Sequence, residues 1–342
     1  MSDTRLGRAT PDAPRLATSI DRADRALRRL ELDVARRLDG LLQGDHLGLV
    51  PAPGSEAGES REYSVGDDVR RMDWAVTART GVAHVRDTIA DRELETWVVV
   101  DRTASLDFGT AECEKRDIAL AAVAAVGFLT SRVGNRVGAV VLTPDGVRVV
   151  PARGGRDATF ALLRRVDAVA RCATVSARPD VDLEHALAIA TRVARRRGLV
   201  VVVSDFLARD RWARQLRLLA SRHEVLAIDI VDPRELELPP IGLVTFVDTE
   251  TGRRVEVQTA SEKIRARYAA AATVQRAEIQ RSVVGAGVEH LELRTDRDWL
   301  VDVARYVATR RRRRAGRSAP RLTSPDDARR AGAKPGVGDR GA

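Results

Sequence analysis

The feature that most constrains this chain is the recurrence of short, β-branched apolar runs between amphipathic helical stretches. TWVVVDR at 96–102, RVGAVVLTP at 136–144, GLVVVVSDF at 198–206 and EVLAIDIVD at 224–232 are too apolar to be half-exposed strands. They read as strands buried on both faces, which is the signature of a parallel sheet covered by helices. Between them, Lys115 to Arg132 reads as an almost wholly apolar helix, and Leu183 to Arg197 carries Leu183, Leu187, Ala190 and Ala194 on one face. GVRVVPAR follows a turn at Pro144-Asp145-Gly146 and gives a further strand. Strand and helix in alternation predict an α/β fold with a doubly wound, mostly parallel sheet. Aromatic residues are only 4% of the chain, so Val, Leu, Ile and Ala must build the core.

Four segments follow along the chain. Residues 1–17 are polar, contain Pro11 and Pro14, and are expected to be disordered. Residues 18–95 hold an amphipathic helix (Ile20, Ala23, Leu27, Leu30, Val34, Leu38, Leu41), a Gly/Pro loop and a dense charged segment. Residues 96–310 are the α/β domain, completed by a hairpin in LVTFVDTETGRRVEVQT, a long helix from Ser261 to Val284, the strand VEHLELRT and a last helix ending at Thr309. Residues 311–342 are a basic tail, expected to be disordered.

The formal net charge of +9 is concentrated there. Residues 310–342 contain eleven Arg or Lys against three Asp, a balance of +8, which leaves +1 for the other 309 residues. Such a tail gives at most weak, nonspecific contact with polyanions, and the body carries no sign of specific nucleic-acid binding. Cys113 and Cys172 are too few for a disulfide framework and have no metal-ligand spacing. The N-terminus has no apolar signal core, and the longest apolar run, Ala119 to Leu129, falls well short of the ~20 residues of a membrane span. A soluble, cytoplasmic protein is expected.

Two strands end in acids. The first runs into Asp101-Arg102-Thr103-Ala104-Ser105 and the second into Ser204-Asp205. In an open parallel sheet, ligands bind at the carboxyl ends of strands. Asp101, Thr103, Ser105 and Asp205 offer hard oxygens of the kind that suits Mg²⁺, while an Asp at a strand end also serves simply to cap the next turn. This set resembles the metal-ion-dependent adhesion site of von Willebrand factor A-like domains, whose Asp-x-Ser-x-Ser loop is here Asp-x-Thr-x-Ser. The resemblance implies a third loop with a Thr. The matching position is Val181, which has no oxygen to give, so either one ligand is lost or Asp180 or Asp182 replaces it.

The block REYSVGDDVRRMDWAVTART carries Arg61, Glu62, Tyr63, Gly66, Asp67, Asp68, Arg70, Arg71, Asp73, Trp74, Ala78, Arg79 and Thr80. It resembles the marker of a bacterial family called domain of unknown function 58, and with DPRELELPPIGLVTFVDTETG the resemblance covers roughly residues 40–310. It implies a von Willebrand factor A-like domain, with the N-terminal helix and a β-hairpin extension, acting as an adaptor or accessory factor for a MoxR-type AAA+ ATPase or its client. Two roles are open for the block. It can be an ion-paired clasp on the sheet, or a docking surface made by Arg61, Tyr63, Asp67, Asp68, Arg70, Arg71, Asp73, Trp74 and Arg79, since Arg, Trp and Tyr dominate interface energetics.

Enzymatic readings find less support. There is no phosphate-binding Gly-x-x-x-x-Gly-Lys loop and no Gly-x-Ser-x-Gly elbow. A metal-dependent phosphohydrolase or nuclease using the acidic strand ends is the alternative, but its second acid would fall at Thr103. His46, His84, His185, His223 and His290 are scattered. The chain is therefore expected to be a non-enzymatic interaction module.

Overall fold

The computed structural model describes residues 27–32, 34, 36, 60–64, 69, 72–86, 95–132, 135–171, 182–208, 211–247 and 253–318. Its centre is a six-stranded sheet. In chain order the strands are β3 (Glu95–Asp101), β4 (Arg136–Thr143), β5 (Gly146–Gly154), β6 (Leu199–Ser204), β7 (Glu224–Val231) and β10 (Glu289–Arg294). Their spatial order is β10-β7-β6-β3-β4-β5, with every neighbouring pair parallel except β4 and β5. This is the doubly wound, mostly parallel α/β sheet that the valine runs predict.

Both faces are covered. Helices α2 (Lys115–Arg132), α3 (Arg156–Asp167) and α7 (Trp299–Ser318) pack on one side, where Val98, Val100, Val201, Val203, Ile228 and Ile230 point. Helices α4 (Leu183–Val193), α5 (Trp212–Ala220) and α6 (Glu262–Gly285) cover the other, where Val99, Val200, Val202 and Ala227 point. Successive strand residues alternate between faces, so two covered faces demand apolar residues at every position. Residues 27–32, 34 and 36 are helical, as the periodicity requires, and Leu27 and Val34 join the first of these cores.

The marker segment forms a small antiparallel pair, β1 (Ser60–Glu62) with β2 (His84–Arg86), around the short helix α1 (Trp74–Thr80). A second hairpin, β8 (Leu243–Val247) with β9 (Arg254–Gln258), is also antiparallel. Its expected turn at Thr251-Gly252 lies outside the described residues.

One boundary moves. The sequence pattern ends the last helix at Thr309, yet α7 continues to Ser318, taking in the first residues assigned to the tail. Arg310 is buried and its guanidinium bonds Glu224 at 2.9 Å and Glu289 at 2.9 Å, which pins the helix to the sheet edge at that point. Arg and Ala beyond it are good helix formers, and basic residues suit a helix C-terminus. Residues 1–17 and 319–342 lie outside the described residues.

Candidate functional site

The chain runs outward from β3 to β4 and β5 on one side, then returns to β6 and runs outward to β7 and β10 on the other. The switch therefore falls between β3 and β6, and the crevice at their carboxyl ends is where an open α/β sheet binds ligands. Asp101 ends β3, Ser204 ends β6, and Asp205 follows it directly.

Asp101 is only 5% exposed. Its Oδ1 accepts from the Thr103 amide at 2.9 Å and the Thr103 hydroxyl at 2.7 Å, and its Oδ2 accepts from the Ser204 hydroxyl at 2.9 Å. Thr103 Oγ1 lies 3.3 Å from Ser105 Oγ. Asp101, Thr103 and Ser105 are thus gathered as the sequence spacing implies. Ser204 Oγ also accepts from the Phe206 amide at 3.2 Å. Phe206 stands at φ 53°, a left-handed backbone unusual for a non-glycine residue, and its buried ring meets Trp212 edge-on with centroids 5.1 Å apart. That packing holds the strained turn which aims Asp205, and backbone strain of this kind clusters at functional sites.

Asp205 faces a cation already supplied by the chain. Its Oδ2 accepts from Lys115 Nζ at 2.7 Å, and its Oδ1 accepts from the Leu207 amide at 3.2 Å. Lys115 is 1% exposed and bonds Glu235 Oε1 at 2.5 Å. Arg276 of α6 extends the network to Glu235 at 2.6 Å, to Asp229 at 3.1 Å and to the Asp205 carbonyl at 3.0 Å. His290 Nε2 lies 3.4 Å from the other Asp229 oxygen. Just beyond, buried Asp232 accepts from the Thr110 amide and hydroxyl, the Thr295 hydroxyl and the Arg234 amide.

The electrostatics follow from these contacts. Burial, reinforced by the charge of Asp205, pushes the Asp101 carboxyl up to about 6. Burial would also raise Asp205, but the Lys115 ammonium outweighs it and holds this carboxyl below the usual range. Burial alone would lower the Lys115 ammonium, and its two carboxylate partners more than reverse that. Glu235 is raised, by burial and by its neighbour Asp205, despite its bond to Lys115. The single ammonium is shared between two mutually repelling acids, 2.7 Å from one and 2.5 Å from the other. At Asp232 hydrogen bonds overcome burial, and the carboxyl is depressed.

The adhesion-type metal site can be tested against this geometry. A divalent ion would need Asp205, whose Oδ2 is bound by an ammonium, beside Asp101, whose two oxygens already accept three hydrogen bonds. Among the described residues, no group of three or more His, Cys, Asp or Glu is placed to hold a metal. Asp182 caps α4 by accepting from the His185 amide at 2.9 Å, while Asp180 and Val181 lie outside the described residues. Mg²⁺ affinity follows ligand number and charge, so the contacts at Asp101 and Asp205 do not fit the ion.

The marker block divides. Asp73 is buried and caps α1, accepting from the Ala75 and Val76 amides at 3.2 Å each, while its own amide bonds the His84 carbonyl at 2.8 Å. These contacts stay inside the marker segment, so Asp73 fixes α1 against β2. Trp74, next in sequence, is 68% exposed, although a clasp would have it against apolar surface. Val69, Val82 and Arg79 are exposed as well, and Tyr63 is half-buried. Arg61 lies in β1, with its backbone alone described, and Asp67, Asp68, Arg70 and Arg71 lie outside the described residues.

Sequence reasoning passes over Lys115, Asp229, Asp232, Glu235 and Arg276. One signal is available. The chain has 58 Lys and Arg, of which only Lys115, Lys263 and Lys334 are Lys, and Lys115 opens an almost wholly apolar helix. Asp232 and Glu235 in DPRE are spaced as a capping box, which marks a turn and not a site. Arg276, Thr110 and Thr295 carry no local pattern, because they meet the site only through the fold.

The family model described as "Protein of unknown function DUF58" matches residues 59–278. An uncharacterised protein of Mycobacterium tuberculosis is 53% identical over 303 residues, which span 88% of this chain and 92% of that one. Among solved structures, a conserved hypothetical protein BatB from Bacteroides thetaiotaomicron matches at 12% identity and TM-score 0.40, over 64% of this chain and 99% of that one. A von Willebrand factor type A structure from Catenulispora acidiphila matches at 13% identity and TM-score 0.34, over 67% of this chain and 43% of that one. With the marker residues in place and the family model covering most of the chain, this protein belongs to the DUF58 family.

Proposed function

We propose that this protein is a non-enzymatic interaction module of the cytoplasm, an adaptor or accessory factor that contacts a MoxR-type AAA+ ATPase or its client. The observation that carries the reading is Trp74. Its helix is fixed by the buried Asp73 cap, so the ring is presented on a rigid element, and it is left 68% exposed. An exposed tryptophan on a fixed helix, with Val69 and Val82 also exposed in the same segment, supplies the aromatic anchor on which interface energies concentrate. Arg79 sits in the last turn of the same helix and adds a charged neighbour for the rim.

The strand-end site is a second surface for the partner, offering Thr103 and Ser105 hydroxyls beside a buried acid. The rival reading, a phosphohydrolase or nuclease, would use Asp101 as nucleophile. It lacks a second acid at position 103 and would act through an oxygen already holding hydrogen bonds. No helix among the described residues is long and apolar enough to cross a membrane.

The test is a pull-down from the source cell with wild type, Trp74→Ala and Asp101→Ala, followed by identification of the bound proteins. Trp74→Ala is expected to leave the melting temperature unchanged, because the ring is exposed, and to lower recovery of an AAA+ ATPase or its client by at least about tenfold. Equal recovery by Trp74→Ala and wild type would remove the docking role of the marker helix. Phosphatase or nuclease turnover by wild type that Asp101→Ala abolishes would replace the adaptor reading altogether.

A further inference from the structure

We propose that the Lys115 ammonium is the resident cation of the strand-end site, so that the site is assembled and held without a divalent ion. The proposal concerns the site itself and stands whether or not the adaptor reading does.

Three observations converge on it. The first is position: a side chain 1% exposed places Nζ 2.7 Å from the Asp205 oxygen and 2.5 Å from Glu235, on the carboxylate that an adhesion-type ion would require. The second is what lies behind it. Arg276 bonds Glu235, Asp229 and the Asp205 carbonyl, so the acids around Lys115 have a second internal cation and a fixed geometry. The third is Asp101, whose oxygens accept from Thr103 and Ser204 and are turned toward hydroxyl and amide donors.

A dication arriving at Asp205 would have to displace the ammonium or sit beside it. Like charges this close in a poorly screened interior repel strongly. The displaced ammonium would also lose both carboxylates in a pocket where it lies over the Phe108 ring, 6.0 Å from its centroid. Lysine suits the place better than arginine. It brings a compact point charge with three donors to two carboxylates, where a planar guanidinium would need a flat, forked acceptor. The chain uses Arg almost everywhere else.

The experiment uses the full-length protein, stripped with EDTA and titrated by calorimetry with MgCl₂ and, separately, MnCl₂, with thermal melts in EDTA and in each ion. Wild type is expected to give no saturable heat in the millimolar range and one melting temperature in all conditions. Lys115→Gln, which keeps a polar head on a shorter stem but removes the charge, is expected to melt lower in EDTA and to regain stability as Mg²⁺ or Mn²⁺ rises, because Asp205 then lacks a cation. A saturable wild-type heat that disappears in Asp101→Asn would overturn the proposal. So would a wild-type melting temperature that falls in EDTA and returns with Mg²⁺.

Discussion

Lys115→Ala is expected to lower the unfolding free energy by about 3–5 kcal/mol, the cost of leaving buried carboxylates without their cation. Asp205 and Glu235 both lose a partner, at 2.7 Å and 2.5 Å; Asp205 is buried and cannot turn to solvent, while Glu235 keeps Arg276. Chemical denaturation at neutral pH checks this directly. Lys115→Arg is expected to recover only part of the loss, since the longer planar head cannot occupy a pocket shaped for an ammonium. The combination of Lys115→Met with Asp205→Asn should cost less than the sum of the two single changes, because it removes charge and countercharge together. An additive result would mean that the two groups do not sense each other, contrary to the geometry.

The same network explains why the site is rigid without being regular. Lys115 opens α2, Asp205 follows β6, Glu235 lies in a short turn after β7, and Arg276 comes from the middle of α6. Asp232 and Glu235 form a capping box on that turn, and Asp232 also ties down Thr110 and Thr295 from two other loops. Loops at the carboxyl edge of an open sheet are ordinarily the mobile part of the fold. Here charged side chains from four elements fix one another beside the Asp101 carboxyl that holds the Thr103 hydroxyl.

Much of this architecture is legible in the amino-acid sequence, and the division has a physical cause. Strands buried on both faces leave runs such as Val200 to Val203 with no polar interruption, and a helix such as α2 declares itself by an unbroken apolar stretch. These are local signals, so the sheet and its helices can be read directly. Asp101, Thr103 and Ser105 are legible for the same reason, since three oxygens at alternate positions of one turn must fall together. Asp205 is legible as a residue of the site but looks like a free ligand, because its partner lies 90 positions away along the chain. Trp74 is ambiguous because solvent exposure has no signature in a segment this dense in charge. The end of α7 falls short in the sequence reading because a run of arginines looks like a solvated tail until one of them, Arg310, is seen to be buried.

Asp101→Asn is expected to stabilise the protein at neutral pH, in contrast to most changes at a buried polar residue. The wild-type carboxyl is pushed up from 3.8 to about 6, by burial first and by Asp205 second. A folded-state value above the unfolded one means that the native protein holds its proton longer. Stability from this group is therefore greatest below the unfolded value, falls as pH rises through the interval between the two, and stays low above it. The whole interval corresponds to roughly 2–3 kcal/mol. Asn presents an oxygen to the Thr103 amide and hydroxyl and an amide to Ser204 Oγ, so the hydrogen bonds survive while the charge is gone. The difference in stability between Asp101→Asn and wild type should accordingly be small or negative near pH 4, rise toward pH 6 and then level off. Denaturation curves across that range measure it. A difference independent of pH would show that Asp101 is not a strained carboxylate. The expected curve would show that the fold carries a destabilising charge at its switch point, beside the Asp205–Lys115 pair.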